Sequence, residues 1–451
     1  MLRLLSQQNI KKSMTYQETC DYLFNQMPMF ERQGASGYKE GLSNTLALDD
    51  HFGHPHQAYA TIHVGGTNGK GSVSHTIAAI LQECGYHVGL YTSPHLVDFR
   101  ERIRVNGKPI SENYVIDFVD KERAFFEPLH PSFFEVTTAM AFKYFKDMKV
   151  DIAVVEVGLG GRLDCTNIIS PLVSVITNIS FDHTQFLGNT LAMIAGEKAG
   201  IIKKGIPVVI GEANAETRPV FEAKARTVGA PIIFAQDNKE VISATPVPEG
   251  GMIYHTQHLG QLQGDLGGIY QELNMNTVLL AMNELAKQGY ITLQEDSNTS
   301  QTAAAELTKG VRHVIKTTGL MGRWQLVMEN PKVICDTGHN VGGWQFISKQ
   351  LKLTQCQQQH IVFGMVDDKD IDGVLSLLPQ QASYYFTKAD SHRAISEERL
   401  LELAAAHGLK GNCYPTVNEA FKAAIACASH DDLIFIGGSS YVVGDFLKTC
   451  I

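Results

Sequence analysis

A glycine-rich loop that carries one lysine is the segment of this sequence best suited to chemistry. Residues 62–72 read Ile62-His-Val-Gly-Gly-Thr-Asn-Gly-Lys-Gly-Ser72, an apolar β-type run, a turn and the start of a helical pattern. Glycines let backbone N–H groups converge on phosphate oxygens, the start of a helix adds partial positive charge, and Lys70 adds a full one. The segment therefore predicts a cradle for nucleotide phosphates. It is a compact variant, because Val64 and Gly71 stand where the general P-loop pattern has a glycine and a hydroxyl.

Acidic and imidazole side chains follow two later β-type runs. Glu156 ends one run, and Asp182-His183 follow the next. The carboxyl ends of parallel strands meet at one edge of a sheet, where open α/β folds bind their ligands. We therefore expect these side chains near the triphosphate, where carboxylate and hydroxyl oxygens suit magnesium and imidazole suits it less well. Two interpretations of His183 stay open, a magnesium ligand and a hydrogen-bonded structural histidine.

A second glycine cluster, Gly158-Leu-Gly160-Gly161, invites interpretation as the dinucleotide fingerprint of a dehydrogenase. The pattern G-x-G-x-x-G breaks at Leu163, and a complete phosphate loop already lies one strand earlier. We therefore reject the dehydrogenase interpretation.

Three histidines and one lysine would by default be interpreted as solvated side chains without a role in a site. His51, His54 and His56 lie among turn residues before the first core strand, which favours a solvated loop over a metal site. Lys198 lies near the end of a helical pattern, and the default for such a residue is a solvated side chain.

The elements that must position these residues alternate between short apolar runs and helical patterns, which is typical of parallel α/β architecture. A helix is predicted over Ser72–Cys84, with Gly85 as its stop. The strands predicted in this series are Ala60–Val64, His87–Tyr91, Asp151–Val157, Leu172–Ile179 and Pro207–Ile210. Pro and Gly interruptions predict a small antiparallel insert at 235–270, followed by helices near Tyr270–Gln288 and Ala303–Ile315.

A second α/β series follows the flexible break Gly319-Leu-Met-Gly322. Its predicted strands are Val333–Cys335, His360–Phe363, Tyr384–Phe386 and Leu433–Ile436. A chain of 451 residues is too long for one ordinary core, so we place a domain boundary at 316–323. The two predicted domains are residues 14–316 and 323–451.

Composition narrows the functional classes. Hydrophobic residues make up 44% and charged residues 19%, which is typical of a globular protein. The net charge of −9 argues against nucleic acid as a partner. No segment reaches the roughly 18 apolar residues of a membrane span, and the eight cysteines are scattered without a zinc-type spacing. We therefore expect a cytoplasmic protein without a membrane partner, acting as a monomer.

The glycine loop resembles the ATP loop of the Mur ligase superfamily, and specifically that of the folylpolyglutamate synthase/dihydrofolate synthase family. Seven further blocks look like that family in its order, over about Met14 to Phe446. They are Thr92-Ser-Pro-His-Leu96 with Phe99-Arg-Glu-Arg-Ile103, Glu156-Val-Gly-Leu-Gly-Gly-Arg-Leu-Asp164 with Thr166-Asn167, Asp182-His183, Gly196-Glu-Lys-Ala-Gly200, Gly322-Arg323, Asp336 with His339-Asn340, and Gly364-Met365 with Asp368-Lys-Asp370. The resemblance implies an N-terminal P-loop-type parallel-sheet ATPase domain and a smaller C-terminal Rossmann-like α/β domain.

The resemblance also implies the site residues. The implied ATP site comprises Gly66, Thr67, Asn68, Gly69, Lys70, Gly71, Ser72, Asn274, Arg323 and Asp336. The implied Mg²⁺ ligands are Ser93, Glu156, His183 and a carbamylated Lys198, and the implied catalytic residues are Lys70, His183 and Lys198. The implied pterin or folate pocket comprises Ser132, Phe133, Phe134, Glu135, Leu163, Asp164 and Cys165.

Some implied roles keep an alternative. Phe133 and Phe134 offer flat faces to a heteroaromatic ring but suit a protein core equally well. Arg323 and Asp336 could reach the nucleotide across a cleft or form an interdomain salt bridge. The family often has histidine at the position of Tyr270, near the asparagine expected to read adenine.

The implied activity is an ATP-dependent amide ligase that uses ATP and magnesium to join L-glutamate to dihydropteroate or to a reduced folate, through an acyl phosphate. We expect both substrates to be used, because the pterin-site segments match those of bifunctional members. One alternative is a peptidoglycan-precursor ligase of the same superfamily, against which Ser93-Pro-His-Leu and Glu156-Val-Gly-Leu-Gly-Gly-Arg speak. A second alternative is a nucleotide switch without covalent chemistry.

Overall fold

The computed structural model describes residues 13–28, 41–248, 250–294 and 304–450. Its strands form one large sheet, one small sheet and one sheet of intermediate size. The strands are β1 (Ala60–Gly65), β2 (Val88–Tyr91), β3 (Ile103–Val105), β4 (Lys108–Pro109), β5 (Ile152–Glu156), β6 (Val173–Ile176), β7 (Val208–Ile210), β8 (Ile232–Phe234), β9 (Val241–Pro246), β10 (Met252–Thr256), β11 (Gln261–Gly264), β12 (Gln325–Met328), β13 (Lys332–Asp336), β14 (Gln359–Phe363), β15 (Ser383–Thr387), β16 (Gly411–Tyr414) and β17 (Leu433–Gly437).

The α-helices connect and cover these sheets. They are α1 (Tyr16–Gln26), α2 (Ser43–His51), α3 (Lys70–Glu83), α4 (Glu112–Phe126), α5 (Phe133–Asp147), α6 (Thr184–Leu187), α7 (Leu191–Lys198), α8 (Arg218–Val228), α9 (Gln271–Lys287), α10 (Ala305–Arg312), α11 (Val314–Thr318), α12 (Val341–Leu353), α13 (Ile371–Leu375), α14 (Glu397–Ala406), α15 (Val417–Cys427) and α16 (Ser440–Lys448). Within the described part of the chain, no helix combines the length and apolar character that crossing a membrane requires.

The eight-stranded sheet has the order β4-β3-β2-β5-β1-β6-β7-β8. Strand β1 lies inside it, paired in parallel with β5 and β6. Both faces are buried, which explains why its central strands read as nearly continuous apolar runs. All five predicted strands of this series are present, which confirms the parallel α/β prediction. The run predicted over 172–179 ends at Ile176, where the chain leaves the sheet toward the glycine loop.

Strands β3, β4 and β8 were not predicted. Each is two or three residues long and lies at or near an edge of the sheet. So short a strand has no periodicity of its own, and its existence depends on pairing with a neighbour that the local sequence does not specify.

Helix α3 follows the glycine loop and packs on the large sheet. It begins at Lys70, two residues before the predicted start, because Gly69 adopts a left-handed φ of +84° and turns the chain directly into the helix. The apolar stripe predicted for this helix comprises Val73, Ile77, Ile80, Leu81 and Cys84. The first four are fully buried, whereas Cys84 follows the last helical residue and is half-buried.

The predicted antiparallel insert is present as β9, β10 and β11. The helix predicted over 270–288 is present as α9. The helix predicted over 303–315 is instead broken at His313 into α10 and α11.

The six-stranded sheet has the order β12-β13-β17-β14-β15-β16 and is parallel except for β12. Its four predicted strands are present. Strands β12 and β16 were missed because both are short edge strands without a buried apolar face. We call the described residues up to Thr318 the first unit and Gly322–Cys450 the second unit. The boundary at 316–323 stays a proposal.

Candidate active site

The glycine loop connects β1 to α3, and its lysine folds back over it. The Lys70 ammonium donates to the carbonyl oxygens of Gly66 (3.1 Å) and Thr67 (3.0 Å). Burial lowers the pKa of Lys70. Gly66 has a φ of +134°, and a Cβ at that position would overlap the hydroxyl of Thr177. The loop therefore requires glycine there, and it holds a cation above its own carbonyl groups, where a phosphate would bind.

The segment that follows β6 fixes the loop from one side. The backbone N–H of Thr67 donates to the Asn178 carbonyl (2.9 Å), and that of Asn68 donates to the Asn178 side chain (2.9 Å). The Ser180 N–H donates to the Thr67 hydroxyl (3.1 Å). These bonds satisfy polar groups of the loop within the protein, so the loop is pre-organised.

The carboxylate of Glu156 is suited to binding a cation. Glu156 is the last residue of β5 and is 3% exposed, and its Oε2 atom has no hydrogen-bond partner among the described residues. Burial raises the pKa of Glu156 to about 7, although the charges of Lys70 and Arg323 oppose the rise. A buried carboxylate oxygen without a partner is costly unless a ligand satisfies it.

The other implied metal ligands lie around the same cavity. Ser93, His183 and Lys198 line a cavity between the two units, and Ser93 also lines the neighbouring cavity that Glu156 lines. Burial lowers the pKa of His183 to about 3, so its imidazole is neutral and keeps a lone pair for a metal. In the described ranges, no three His, Cys, Asp or Glu residues cluster as a metal site. A metal here would therefore depend also on hydroxyl, water or nucleotide oxygens.

The default interpretation of Lys198 as a solvated lysine is wrong. Its side chain is buried, 5% exposed, and its ammonium donates to the Gly66 carbonyl (2.9 Å). Burial, followed by the charge of Lys70, lowers the pKa of Lys198 to about 7. The helical pattern gave no signal of this, because the residues that bury Lys198 are distant in sequence.

The neighbouring cavity is lined by the loop residues, Asn274, Arg323 and Asp336. Asn274 is buried and donates to the Gln271 side chain (2.8 Å). Arg323 donates to the Thr337 hydroxyl, and its guanidinium lies 3.2 Å from where a Cβ of Gly71 would be. The structure thus brings the implied ATP-binding residues of both units to one cleft.

Tyr270 is a site residue that the sequence reasoning missed. Its hydroxyl donates to Asp336 Oδ2 (2.5 Å), which also accepts from the Trp324 N–H (2.8 Å). Burial raises the pKa of Asp336, and the hydrogen bond from Tyr270 opposes that rise. Asp336 is therefore held in place from both units. The departure from histidine at position 270 was the signal that could have pointed to it.

The implied pterin residues do not line either cavity. Ser132 caps α5 and forms a capping box with Glu135, whose carboxylate accepts from the Ser132 N–H (2.6 Å). Phe133 is 2% exposed and packs in the core, with the Arg102 guanidinium over its ring. The Ser-x-x-Glu pattern of the box was visible in the sequence. In the structure, Phe133 is therefore a core residue, which was the alternative interpretation of this side chain.

The remaining pterin-site residues lie beside the second glycine cluster. Phe134 is half-buried, and a Cβ at Gly158 would overlap its ring. Asp164 is buried and accepts from the Leu159 N–H (2.8 Å) and the Thr166 N–H (3.0 Å), while Leu163 and Cys165 are half-buried. Their role in binding a pterin stays a prediction.

The three early histidines are only partly solvated, so the solvated-loop prediction is wrong in part. His51 ends α2 and stacks on Phe125 with ring centroids 3.6 Å apart. His54 and His56 both contact the Asp49 carboxylate at 2.7 Å, and the His56 side chain is 10% exposed. His54 and His56 therefore support the structure around Asp49, whereas His51 contacts the Glu122 carboxylate (2.9 Å).

The fold and the two-sided cleft define a class of protein. Residues 64–262 match the family described as the Mur ligase middle domain, and residues 322–440 match the Mur ligase glutamate ligase domain. The chain is therefore built as a Mur ligase.

Full-length relatives identify the family within that class. The chain is 32% identical over 424 residues to the dihydrofolate synthase/folylpolyglutamate synthase of Bacillus subtilis, covering 91% of this chain and 95% of that protein. It is 32% identical over 388 residues to the Escherichia coli protein of the same name, covering 85% of each. The chain therefore belongs to the dihydrofolate synthase/folylpolyglutamate synthase family, which confirms the resemblance.

Solved structures agree with this placement. The structure of E. coli FolC in complex with DHPP and ADP matches with a TM-score of 0.80 and 29% identity, over 97% of both chains. A Mycobacterium tuberculosis folylpolyglutamate synthase complexed with ADP matches with a TM-score of 0.82 and 29% identity, over 96% of this chain and 98% of that one. The predicted Mur ligase fold is confirmed.

Proposed function

We propose that this protein is an ATP-dependent ligase that adds L-glutamate both to dihydropteroate, forming dihydrofolate, and to the glutamate tail of reduced folates. One observation carries the proposal. Lys70 of the first unit faces Lys369 and Arg393 of the second unit across one cavity. A cleft with cations on both sides suits a reaction that joins a triphosphate and two carboxylates.

The first step is phosphoryl transfer. Amide formation in water is uphill, so a carboxylate oxygen of the folate substrate attacks the γ-phosphorus of ATP and ADP leaves. Lys70 and the N–H groups of the loop orient the phosphates, while Arg323 reaches the same loop from the second unit. The product is an acyl phosphate.

The residues present fit the magnesium ion that such a reaction uses. Ser93, Glu156 and His183 would hold Mg²⁺, which when bound supplies positive charge to the phosphate oxygens. The Oε2 atom of Glu156 supports this assignment, because no described residue forms a hydrogen bond with it. A structure of a Yersinia pestis relative, with 25% identity and a TM-score of 0.76, was solved with AMPPNP and a manganese ion.

Lys198 is proposed as a carbamate. Its uncharged amine would attack carbon dioxide, forming an N–C bond and releasing one proton, so that a neutral amine becomes an anionic carbamate. A pKa near 7 supports this reaction because much of the amine is uncharged at neutral pH. The buried position beside the loop would present the new carboxylate to the metal site.

The second step is attack of the glutamate amine on the acyl phosphate. The amine nitrogen bonds to the carbonyl carbon, inorganic phosphate leaves, and the nitrogen loses a proton. Ser439 and Ser440 line the cavity at the end of β17, which supports a carboxylate site there. Enclosure of this cavity by both units would exclude water from the acyl phosphate.

The proposed setting is that of a monomeric cytoplasmic enzyme whose substrates are small molecules. All eight cysteines are free thiols, which fits a reducing compartment. The acidic net charge of −9 does not favour binding to nucleic acid.

The test is product analysis by mass spectrometry, with ADP quantified in parallel. Purified protein receives ATP, Mg²⁺, L-glutamate and dihydropteroate in one reaction, and tetrahydrofolate in place of dihydropteroate in another. We expect each folate substrate to gain one glutamyl residue per ADP formed. Extension of tetrahydrofolate alone would remove the dihydrofolate synthase half. Activity only on a UDP-sugar peptide would support the peptidoglycan ligase, and ATP hydrolysis without glutamate would support the switch.

A further inference from the structure

The buried carboxylate of Asp182 lies at the junction of the two units. It belongs to the first unit, in the segment between β6 and α6, and its side chain is 7% exposed. The N–H of its neighbour His183 donates to Oδ1 (2.8 Å), and further donors come from the second unit, far along the chain. We propose that Asp182 is a positioning residue, a latch that holds the second unit closed over the glycine loop and fixes Lys369 and His339 in the cavity.

Three side chains of the second unit converge on this carboxylate. Lys369 forms an ion pair with Asp182 Oδ1, and its side chain is only 9% exposed. Oδ2 accepts from Asn340 Nδ2 (3.1 Å) and lies 3.2 Å from His339 Nε2. Asp182 thus gathers an ammonium, an amide and an imidazole from two different loops of the second unit.

The same segment is tied to the glycine loop on its other side. Thr67 donates through its hydroxyl to the Ser180 carbonyl (3.2 Å) and accepts from the Ser180 N–H (3.1 Å). Asn68 donates to the Ser180 hydroxyl (3.2 Å). Only one residue lies between Ser180 and Asp182, so a displacement of the loop is transmitted directly to the carboxylate that binds the second unit.

Two reciprocal amide hydrogen bonds connect the glycine loop directly to the second unit. Asn68 and Asn340 donate to each other, each through Nδ2 to the other's Oδ1 at 3.0 Å. Asn340 Oδ1 also caps α12 by accepting from the Gly343 N–H (2.9 Å). One asparagine therefore orients a helix of the second unit, contacts the nucleotide loop and donates to Asp182.

The energetics favour a latch over an incidental contact. Removing one partner of a buried ion pair leaves an uncompensated buried charge, which is strongly destabilising, whereas removing both partners is much less so. The closed arrangement is the one in which Asp182 and Lys369 are both satisfied. In an open arrangement, both charges would regain water. Closure and nucleotide binding are then linked reciprocally through the segment 178–182.

Small-angle X-ray scattering of the nucleotide-free protein tests the latch without depending on any reaction. We expect Asp182→Asn and Lys369→Met each to increase the radius of gyration relative to the wild type. The double variant should show less than the sum of the two increases, because both act on one contact. Lys369→Arg keeps the charge and should retain the wild-type radius.

ADP affinity, measured by calorimetry, provides a second readout. By linkage, Asp182→Asn should weaken ADP binding by about fivefold or more. The matched control is the exposed ion pair of Asp117 and Lys121 at 2.8 Å, which lies on one helix of the first unit. Asp117→Asn and Lys121→Met should change neither radius nor affinity.

The outcomes are decisive in both directions. Wild-type radii for Asp182→Asn and Lys369→Met, or strictly additive effects in the double variant, would overturn the latch. An equal expansion in Lys369→Arg and Lys369→Met would do the same, because the ion pair would then not be what holds the units together. A failure of ligase activity in the wild type would refute the proposed function and leave the scattering result unaffected.

Discussion

Lys70 and Lys198 donate to the same carbonyl oxygen, that of Gly66, over 3.1 and 2.9 Å. They reach it from different helices, α3 and α7. Two buried ammonium groups that share one acceptor disfavour each other's charge, and the Lys198 pKa falls to about 7, with burial as the larger cause. The cleft thus contains two lysines with lowered pKa values, and Lys198 is the one that we propose to react as an amine.

Lys198→Met should lower kcat by at least about 100-fold, because it removes a proposed metal ligand. The matched control, Lys204→Met, changes an exposed lysine six residues away. Activity of the wild type should also fall after removal of carbon dioxide and return with bicarbonate, as a carbamate requires. Steady-state kinetics measures both effects. A kcat of Lys198→Met within twofold of the wild type would exclude the proposed role.

Gly66→Ala should disrupt the loop. The added Cβ would overlap the Thr177 hydroxyl, and a φ of +134° is unfavourable for any L-residue with a side chain. We expect ADP affinity, measured by calorimetry, to fall at least about tenfold and the melting temperature to fall as well. Gly196→Ala is the control, since a Cβ there meets no atom within 4 Å. Normal ADP binding by Gly66→Ala would show that the backbone cradle does not need this conformation.

Glu156→Gln should raise the Mg²⁺ concentration needed for half-maximal activity by about 10–100-fold. The neutral amide keeps the shape of the side chain but loses the charge that we assign to metal binding. Magnesium titrations of the initial rate measure the shift. Glu212→Gln is a suitable control, because Glu212 lines the same cavity but accepts from Asn178 (3.3 Å). Identical titration curves for wild type and Glu156→Gln would contradict the metal assignment.

Tyr270→Phe should weaken nucleotide use by about tenfold in kcat/KM for ATP, since a hydrogen bond to a charged group contributes about 1.5–3 kcal/mol. Asp336 would keep its bond from the Trp324 N–H but lose the one that crosses between the units. Tyr384→Phe removes a hydroxyl bonded to the Pro379 carbonyl (2.6 Å) within the second unit and serves as the control. Equal ATP kinetics in both variants would leave Tyr270 without a role at the site.

His63 should make the first unit acid-sensitive. It is fully buried beside the Thr166 hydroxyl (2.9 Å), and burial lowers its pKa from 6.5 to about 3. The unfolded chain therefore binds a proton at a higher pH than the folded one, and stability is lost as pH falls below about 6.5. Between pH 7 and pH 5 this amounts to about 2 kcal/mol.

Thermal unfolding across that pH range measures the effect of His63. His63→Gln should reduce the pH dependence of the melting temperature, whereas His430→Gln, at an exposed histidine, should leave the wild-type slope. An unchanged slope in His63→Gln would show that this imidazole does not titrate differently in the folded and unfolded states.

The sequence-based predictions were most accurate where the functional residues and the elements that position them adjoin in the chain. The run 60–72 contains its own strand, turn and helix start, so residue types alone identified the phosphate loop, and the structure agrees to within two residues. Glu156 was predictable for a related reason, because a parallel strand delivers its last residue to the ligand edge of the sheet. Short strands at or near a sheet edge, such as β3 and β16, were not predictable, since they form only by pairing with a neighbour.

The sequence did not predict which of these side chains are buried, or which residues far apart in the chain contact each other. Nothing local distinguishes Lys198 from a solvated lysine, or Phe133 from a ligand-stacking ring. Asp182 and Lys369 are 187 residues apart, and Tyr270 and Asp336 are 66 apart.

The sequence by itself therefore determined the parallel α/β class, the nucleotide loop and the family of this protein, because local geometry and motif order specify them. Only the tertiary structure decided which side chains lose water and which charges meet. Desolvation and Coulomb interactions depend on distance in space, and chain folding alone sets that distance for residues that are remote in sequence.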